Sequence, residues 1–174
     1  MKNINKGKEM TDEEIKKAYI NSFGEEKWKE EEMLGKLIPV SLNLSNYLEV
    51  EMVSILFEDI TEDSRLYLKE GYIAINEKYK GDYIECLKSL CHEYRHLYQL
   101  YYAKTNNSPK AKRLLYEFKN IESLKGNNDY GLLEIEIDAF TFTKWYLLNN
   151  YNINVTCKNE ILEEIIIKYT KKYF

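Results

Sequence analysis

The chain has 174 residues, 44% of them hydrophobic, with 25 basic and 29 acidic side chains and a formal net charge of −4. That length suits one domain with a sizeable core, and the interspersed charges leave no basic stripe for nucleic acid. No apolar run approaches bilayer length, and residues 1–9 lack the apolar stretch of a secretory signal, so a cytoplasmic protein off the membrane is expected.

The elements are predicted in chain order. Thr11 followed by Asp12, Glu13 and Glu14 reads as a capping box opening a helix to about Asn21. Residues 25–37 are charge-dense, with Trp28, Met33, Leu34 and Leu37 as apolar anchors, which predicts an amphipathic helix ended by Pro39. Residues 1–40 are thus an N-terminal helical segment and 41–174 the core of one domain. Residues 42–60 are apolar, and the lack of Gly and Pro from Ser45 to Glu58 favours helix. Segments 65–69 and 72–76 alternate apolar and polar around Glu70-Gly71, which predicts a two-residue hairpin.

Asp82 with Glu85 three residues on opens a helix to about Lys104. Its broad apolar surface is Ile84, Leu87, Leu90, Cys91, Tyr94, Leu97, Tyr98 and Tyr101. Ser89, His92, Glu93 and His96 make a narrower polar strip, as a metal site under a cleft requires. Residues 105–109 break this helix, 110–125 predict a short basic amphipathic one, and 126–131 a loop. A helix over about 132–149 is apolar on nearly every face and should be buried. A closing helix, about 159–172, carries Ile161, Leu162, Ile165, Ile166 and Tyr169 as core packing. The expected class is α+β: mostly helical, with a small antiparallel or mixed sheet (hairpin about 65–76) before the histidine helix.

The only two histidines, His92 and His96, flank Glu93 in the run His92-Glu93-Tyr94-Arg95-His96. Four residues is just over one helical turn, so both imidazoles share a face and can bind one metal ion. Glu93 is then placed to act on a water that the metal activates. This is the H-E-x-x-H pattern of zinc peptidases. A catalytic zinc takes three protein ligands and keeps one position open, so with no third histidine the remaining ligand is a carboxylate or thiolate. Glu134 and Asp138 are again four apart. Glu134 could bind the metal while Asp138 accepts a hydrogen bond from the outer nitrogen of a ligating histidine. Glu136 lies about 200° around the helix from Glu134 and would then face elsewhere. Asp129, in the Asp129-Tyr130-Gly131 loop, is a rival third ligand. The three cysteines, Cys86, Cys91 and Cys157, form no C-x-x-C pair, as in a reducing compartment. Cys91 points about 100° from His92 and suits the core better than the metal.

H-E-x-x-H followed by Glu134-Ile135-Glu136-Ile137-Asp138-Ala139-Phe140 resembles the gluzincin type of zincin metallopeptidase, and most of all the ImmA/IrrE family of small intracellular bacterial and phage enzymes. The resemblance covers about residues 60–150. The chain departs from the family at Arg95, where a small residue is usual, and after Leu147-Leu148, where no proline follows.

By position, the resemblance implies His92, His96 and Glu134 as ligands of one zinc ion, Glu93 as general base and Asp138 behind a ligand. It implies hydrolysis of a peptide bond in a protein partner, such as a repressor-like protein of a mobile element or stress circuit. It also implies that substrate adds as a strand to an exposed sheet edge, for which Tyr72, Ile73, Ala74, Ile75 and Asn76 are the candidates. The competing reading is a non-catalytic binding or accessory protein that keeps the fold.

Overall fold

The computed structural model describes residues 11–124, 133–157 and 160–173. Helix α1, Asp12–Phe23, starts at the expected capping box: the Thr11 hydroxyl accepts the Glu14 N–H at 3.3 Å, and the Glu14 carboxylate accepts the Thr11 N–H at 2.9 Å. Helix α2, Glu25–Leu48, does not stop at Pro39. The missing proline N–H deprives only the Gly35 carbonyl, four residues back, and both residues lie on the exposed face, where solvent serves that carbonyl. The buried stripe Met33, Leu37, Val40, Leu44 and Leu48 runs on at helical spacing past the proline, so packing outweighs the lost bond.

The helix expected over 42–60 holds only to Leu48, after which Glu49 turns the chain at φ 55°. Strand β1, Ser54–Glu58, follows, with Ile55 buried between exposed Ser54 and Leu56, the period-two pattern of a strand covered on one face. Strands β2, Ser64–Tyr67, and β3, Tyr72–Asn76, form the expected hairpin. Its turn is longer than predicted, because Tyr67 pairs with Tyr72 and residues 68–71 lie between them. Gly71, at φ 76°, donates its N–H to the Tyr67 carbonyl at 2.8 Å, a conformation glycine adopts at no steric cost.

The sheet order is β1-β3-β2, with β1 parallel and β2 antiparallel to β3. Tyr72, Ile73, Ala74, Ile75 and Asn76 therefore form the central strand, not the exposed edge. Both rows of their backbone groups already face strands, because β1 fills the side expected to be free. The chain is mostly helical with a small mixed sheet, as its sequence implies.

Helix α3, Tyr83–Thr105, lies on the sheet face that carries Ile73 and Ile75. Its start is capped by Asp82, which accepts the Ile84 and Glu85 N–H groups at 3.1 Å. Leu87, Leu90, Cys91 and Tyr94 pack with Leu37 and Leu44 of α2, the two strand isoleucines, and Phe142 and Leu147 of α5, Glu134–Tyr151. The Tyr94 hydroxyl bonds the Ser41 hydroxyl at 2.5 Å and accepts the Val53 N–H at 3.2 Å, tying α3 to α2 and to the approach to β1. Helix α4, Pro109–Leu124, packs through Leu114 on Ala103 and Ile135. Helix α6, Glu160–Tyr173, covers Ile137 with Leu162 and Ile166, whereas Ile161, expected in the core, points outward.

Candidate metal centre

Seating α3 between the sheet and α5 turns the His92 and His96 face toward the start of α5. The two Nε2 atoms are 2.9 Å apart, and both face one carboxylate: Glu136 Oε2 is 3.2 Å from His92 and Oε1 3.5 Å from His96. One donor atom from each of the three residues lies within 4.8 Å of the others. Four-coordinate zinc with bonds of 2.0–2.1 Å sets its ligand atoms about 3.3 Å apart. Two imidazoles and one carboxylate at these separations match the donor set and size of such a site.

The carboxylate at the histidines is thus Glu136, where the sequence pointed to Glu134. Glu134 is the first residue of α5 and turns toward α4, where it pairs with Arg113. Helix α5 has no side-chain cap of its own. Instead the Glu117 carboxylate, reaching across from α4, accepts the Ile135 N–H at 3.0 Å and the Glu134 N–H at 3.4 Å. These two α4 contacts fix where α5 begins and which face its acids present. Sequence spacing sets Glu134 and Glu136 about 200° apart, but the phase of α5 against α3 comes from tertiary contacts.

Asp138 lies close to the histidines but does not touch them. The outer nitrogen of His96, Nδ1, is 2.9 Å from Gln99 Oε1, and Gln99 Nε2 donates to Asp138 Oδ2 at 2.7 Å and to the Ile135 carbonyl at 2.9 Å. Arg95 holds the same aspartate from the other side, with Nε at 2.7 Å from Oδ2 and Nη2 at 3.1 Å from Oδ1. Gln99 was missed in the sequence, although it continues the polar strip three residues beyond His96.

Glu93 is buried, and its Oε1 accepts the Ser64 hydroxyl of β2 at 2.8 Å. Nothing in the sequence marked Ser64. The His92 ring packs against Phe140 at 4.7 Å, and the His96 ring stands edge-on to Phe118 at 6.1 Å. His92 Nδ1 is buried and has no hydrogen-bond partner among the described residues.

Burial opposes charge on His96, but the Glu136 carboxylate, with help from Glu93 and Gln99, outweighs it and raises the imidazole pKa to about 9. Burial likewise pushes Glu136 up, yet hydrogen bonds to both histidines hold its carboxyl well below the ordinary range. Asp138 follows the same logic, with Arg95 outweighing desolvation. Burial drives the Cys86 thiol up to about 12 and Cys91 further still, and neither belongs to the triad. Asp129 lies outside the described residues.

Two shallow hollows, one along Glu13, Lys17 and Ile20 of α1 and one beside Asp59 and Asn76, do not include the triad. The triad is enclosed: the side chain of Glu136 is 4% exposed, that of His96 10% and that of His92 15%. No helix among the described residues is long and apolar enough to cross a membrane. Comparison with protein-family models, curated proteins and solved structures returns no match for this chain.

Proposed function

We propose that this protein is a metal-dependent peptidase in which His92, His96 and Glu136 hold one divalent cation, zinc being the best fit, and Glu93 is the general base. The observation that carries this reading is the convergence of both Nε2 atoms on the Glu136 carboxylate, with a second buried carboxylate, Glu93, next to His92 in the chain. When bound, the cation supplies Lewis acidity to a water and to the scissile carbonyl. Glu93 would take a proton from the water as its oxygen bonds the carbonyl carbon, and would return it to the amine nitrogen as the C–N bond breaks. The Ser64 hydroxyl keeps one of its oxygens occupied and so fixes the plane of the carboxylate.

Strand β2 is an edge of the sheet and carries the serine that touches Glu93. An extended peptide paired along its open side passes the general base, and backbone pairing makes few demands on side-chain identity. The resemblance to the ImmA/IrrE family supports a protein partner as the substrate. Phe140, 36% exposed beside His92, supports access to the site from that side.

The enclosure of the triad favours, as a second reading, a metal-holding protein without turnover. Glu93→Gln separates the two. A peptidase keeps its zinc and loses cleavage of an unfolded protein mixture, followed by mass spectrometry of new N-termini, by 100-fold or more. Cleavage at the wild-type rate in this variant removes Glu93 as the base, and absence of cleavage by zinc-loaded wild type favours the second reading.

A further inference from the structure

A deeper feature of the same centre, resting on the metal-site reading above, is the route by which α5 controls the orientation of His96. The amide of Gln99 cannot be turned around: its nitrogen faces two acceptors, the Ile135 carbonyl at 2.9 Å and Asp138 Oδ2 at 2.7 Å, neither of which can donate. Its oxygen is therefore what meets His96 Nδ1 at 2.9 Å. An amide oxygen only accepts, so Nδ1 carries a hydrogen in the charged and the neutral ring alike, and Nε2, turned to Glu136, is the nitrogen free to give up its hydrogen and ligate.

The anchor of this chain is unusually firm. Asp138 is held by the Nε and Nη2 fork of Arg95, whose guanidinium lies over Tyr98 at 4.7 Å and Phe142 at 5.1 Å. A carboxylate placed directly on the histidine would make the ligand more basic. Here a neutral amide is interposed, and the carboxylate behind it is balanced by Arg95.

We propose that Gln99 is the positioning residue of the metal centre, fixing His96 in the Nδ1–H form, and that Asp138 and Arg95 act on the metal only through it. The arrangement also gives Arg95, the chain's departure from the family pattern beside the second histidine, a structural task.

The test uses ¹⁵N and ¹H NMR of the two histidine side chains, with zinc titration beside it. In metal-free wild type, His96 shows a slowly exchanging Nδ1–H near the Gln99 side chain, a readout independent of whether the protein binds zinc. Gln99→Met removes the acceptor: the slow Nδ1–H is lost and zinc affinity falls about 10–100-fold. A folded Gln99→Met that keeps both overturns the proposal, as does a wild type whose His96 hydrogen sits on Nε2 alone.

If Gln99→Met fails to fold, Gln99→Glu is compared with Gln99→Glu/Asp138→Asn. The single variant sets two carboxylates against each other and loses the slow Nδ1–H. The double variant exchanges amide and carboxylate and regains it. Equal behaviour of the two overturns the proposal. Wild type that shows the Nδ1–H but binds no zinc refutes the metal-site reading alone.

Discussion

His96 and Glu136 set the behaviour of the centre at the level of single residues. His96 is raised from 6.5 to about 9, so its charged form stabilises the metal-free fold fully below pH 6.5 and ceases to as pH rises through about 9. Glu136 is depressed below 4.5, so its contribution is present above that pH and fades as pH falls through its lowered value. The two shifts describe one ion pair, most effective between pH 4.5 and 6.5. Metal-stripped protein should therefore lose on the order of 3 kcal/mol of stability at most between pH 6.5 and 9.5, seen as a falling Tm. In Glu136→Gln that fall should flatten, and equal slopes in the two proteins would contradict the pairing. His92, Glu93 and His96 were legible in the sequence because one helix carries all three and its period alone sets their faces. Glu136 was not, because spacing within α5 says which acids share a face but not which face meets α3.

At the scale of elements, that phase is set by α4. Glu117 caps α5 across a gap of 17 residues and more in sequence, and Arg113 draws Glu134 away from the histidines. Glu117→Ala removes an acceptor from two N–H groups at a helix N-terminus and should cost about 1 kcal/mol. It should also weaken zinc binding several-fold, because the first turn of α5 carries Glu136. Calorimetric titration reads this directly, and unchanged zinc affinity would show that Glu136 is held by α3 alone. Local signals hold wherever they are self-contained, as at the Thr11 and Asp82 caps. They failed where packing overrode them, as at Pro39, whose lost bond falls on the solvent face. They failed too between residues 49 and 58, where an apolar run without Gly or Pro became strand β1. Strand β1 takes the side of β3 expected to be free, so β3 is central and the strand that carries Ser64, β2, is an edge.

The whole molecule brings the candidate site together from distant parts of the chain: Ser64 from the sheet, Glu93 and the histidines from α3, and Glu136 from α5. A cation bound by α3 and α5 in the folded state has no preformed site in the unfolded chain, so binding is linked to folding. With free zinc at 100 times its dissociation constant the gain is about 2.7 kcal/mol, roughly 5–10 °C in Tm for a chain of this size. Chelator should reverse the gain, and a Tm indifferent to zinc and chelator alike would count against a site spanning the two helices. The mostly helical class with a small sheet was legible in composition and periodicity. The convergence of α5 on α3 was expected only from the need of a metal site for a third ligand and from the resemblance, since no spacing in the sequence encodes the contact between them.

The most direct measurement is the zinc content of protein purified without added metal, by elemental analysis, for wild type, His92→Ala, Glu136→Ala and Glu134→Ala. The geometry predicts about one equivalent per chain in wild type and in Glu134→Ala, and little or none in His92→Ala and Glu136→Ala. Zinc kept by Glu136→Ala and lost from Glu134→Ala would contradict the centre described here. Wild type that neither carries zinc nor takes it up would contradict the metal-dependent function itself.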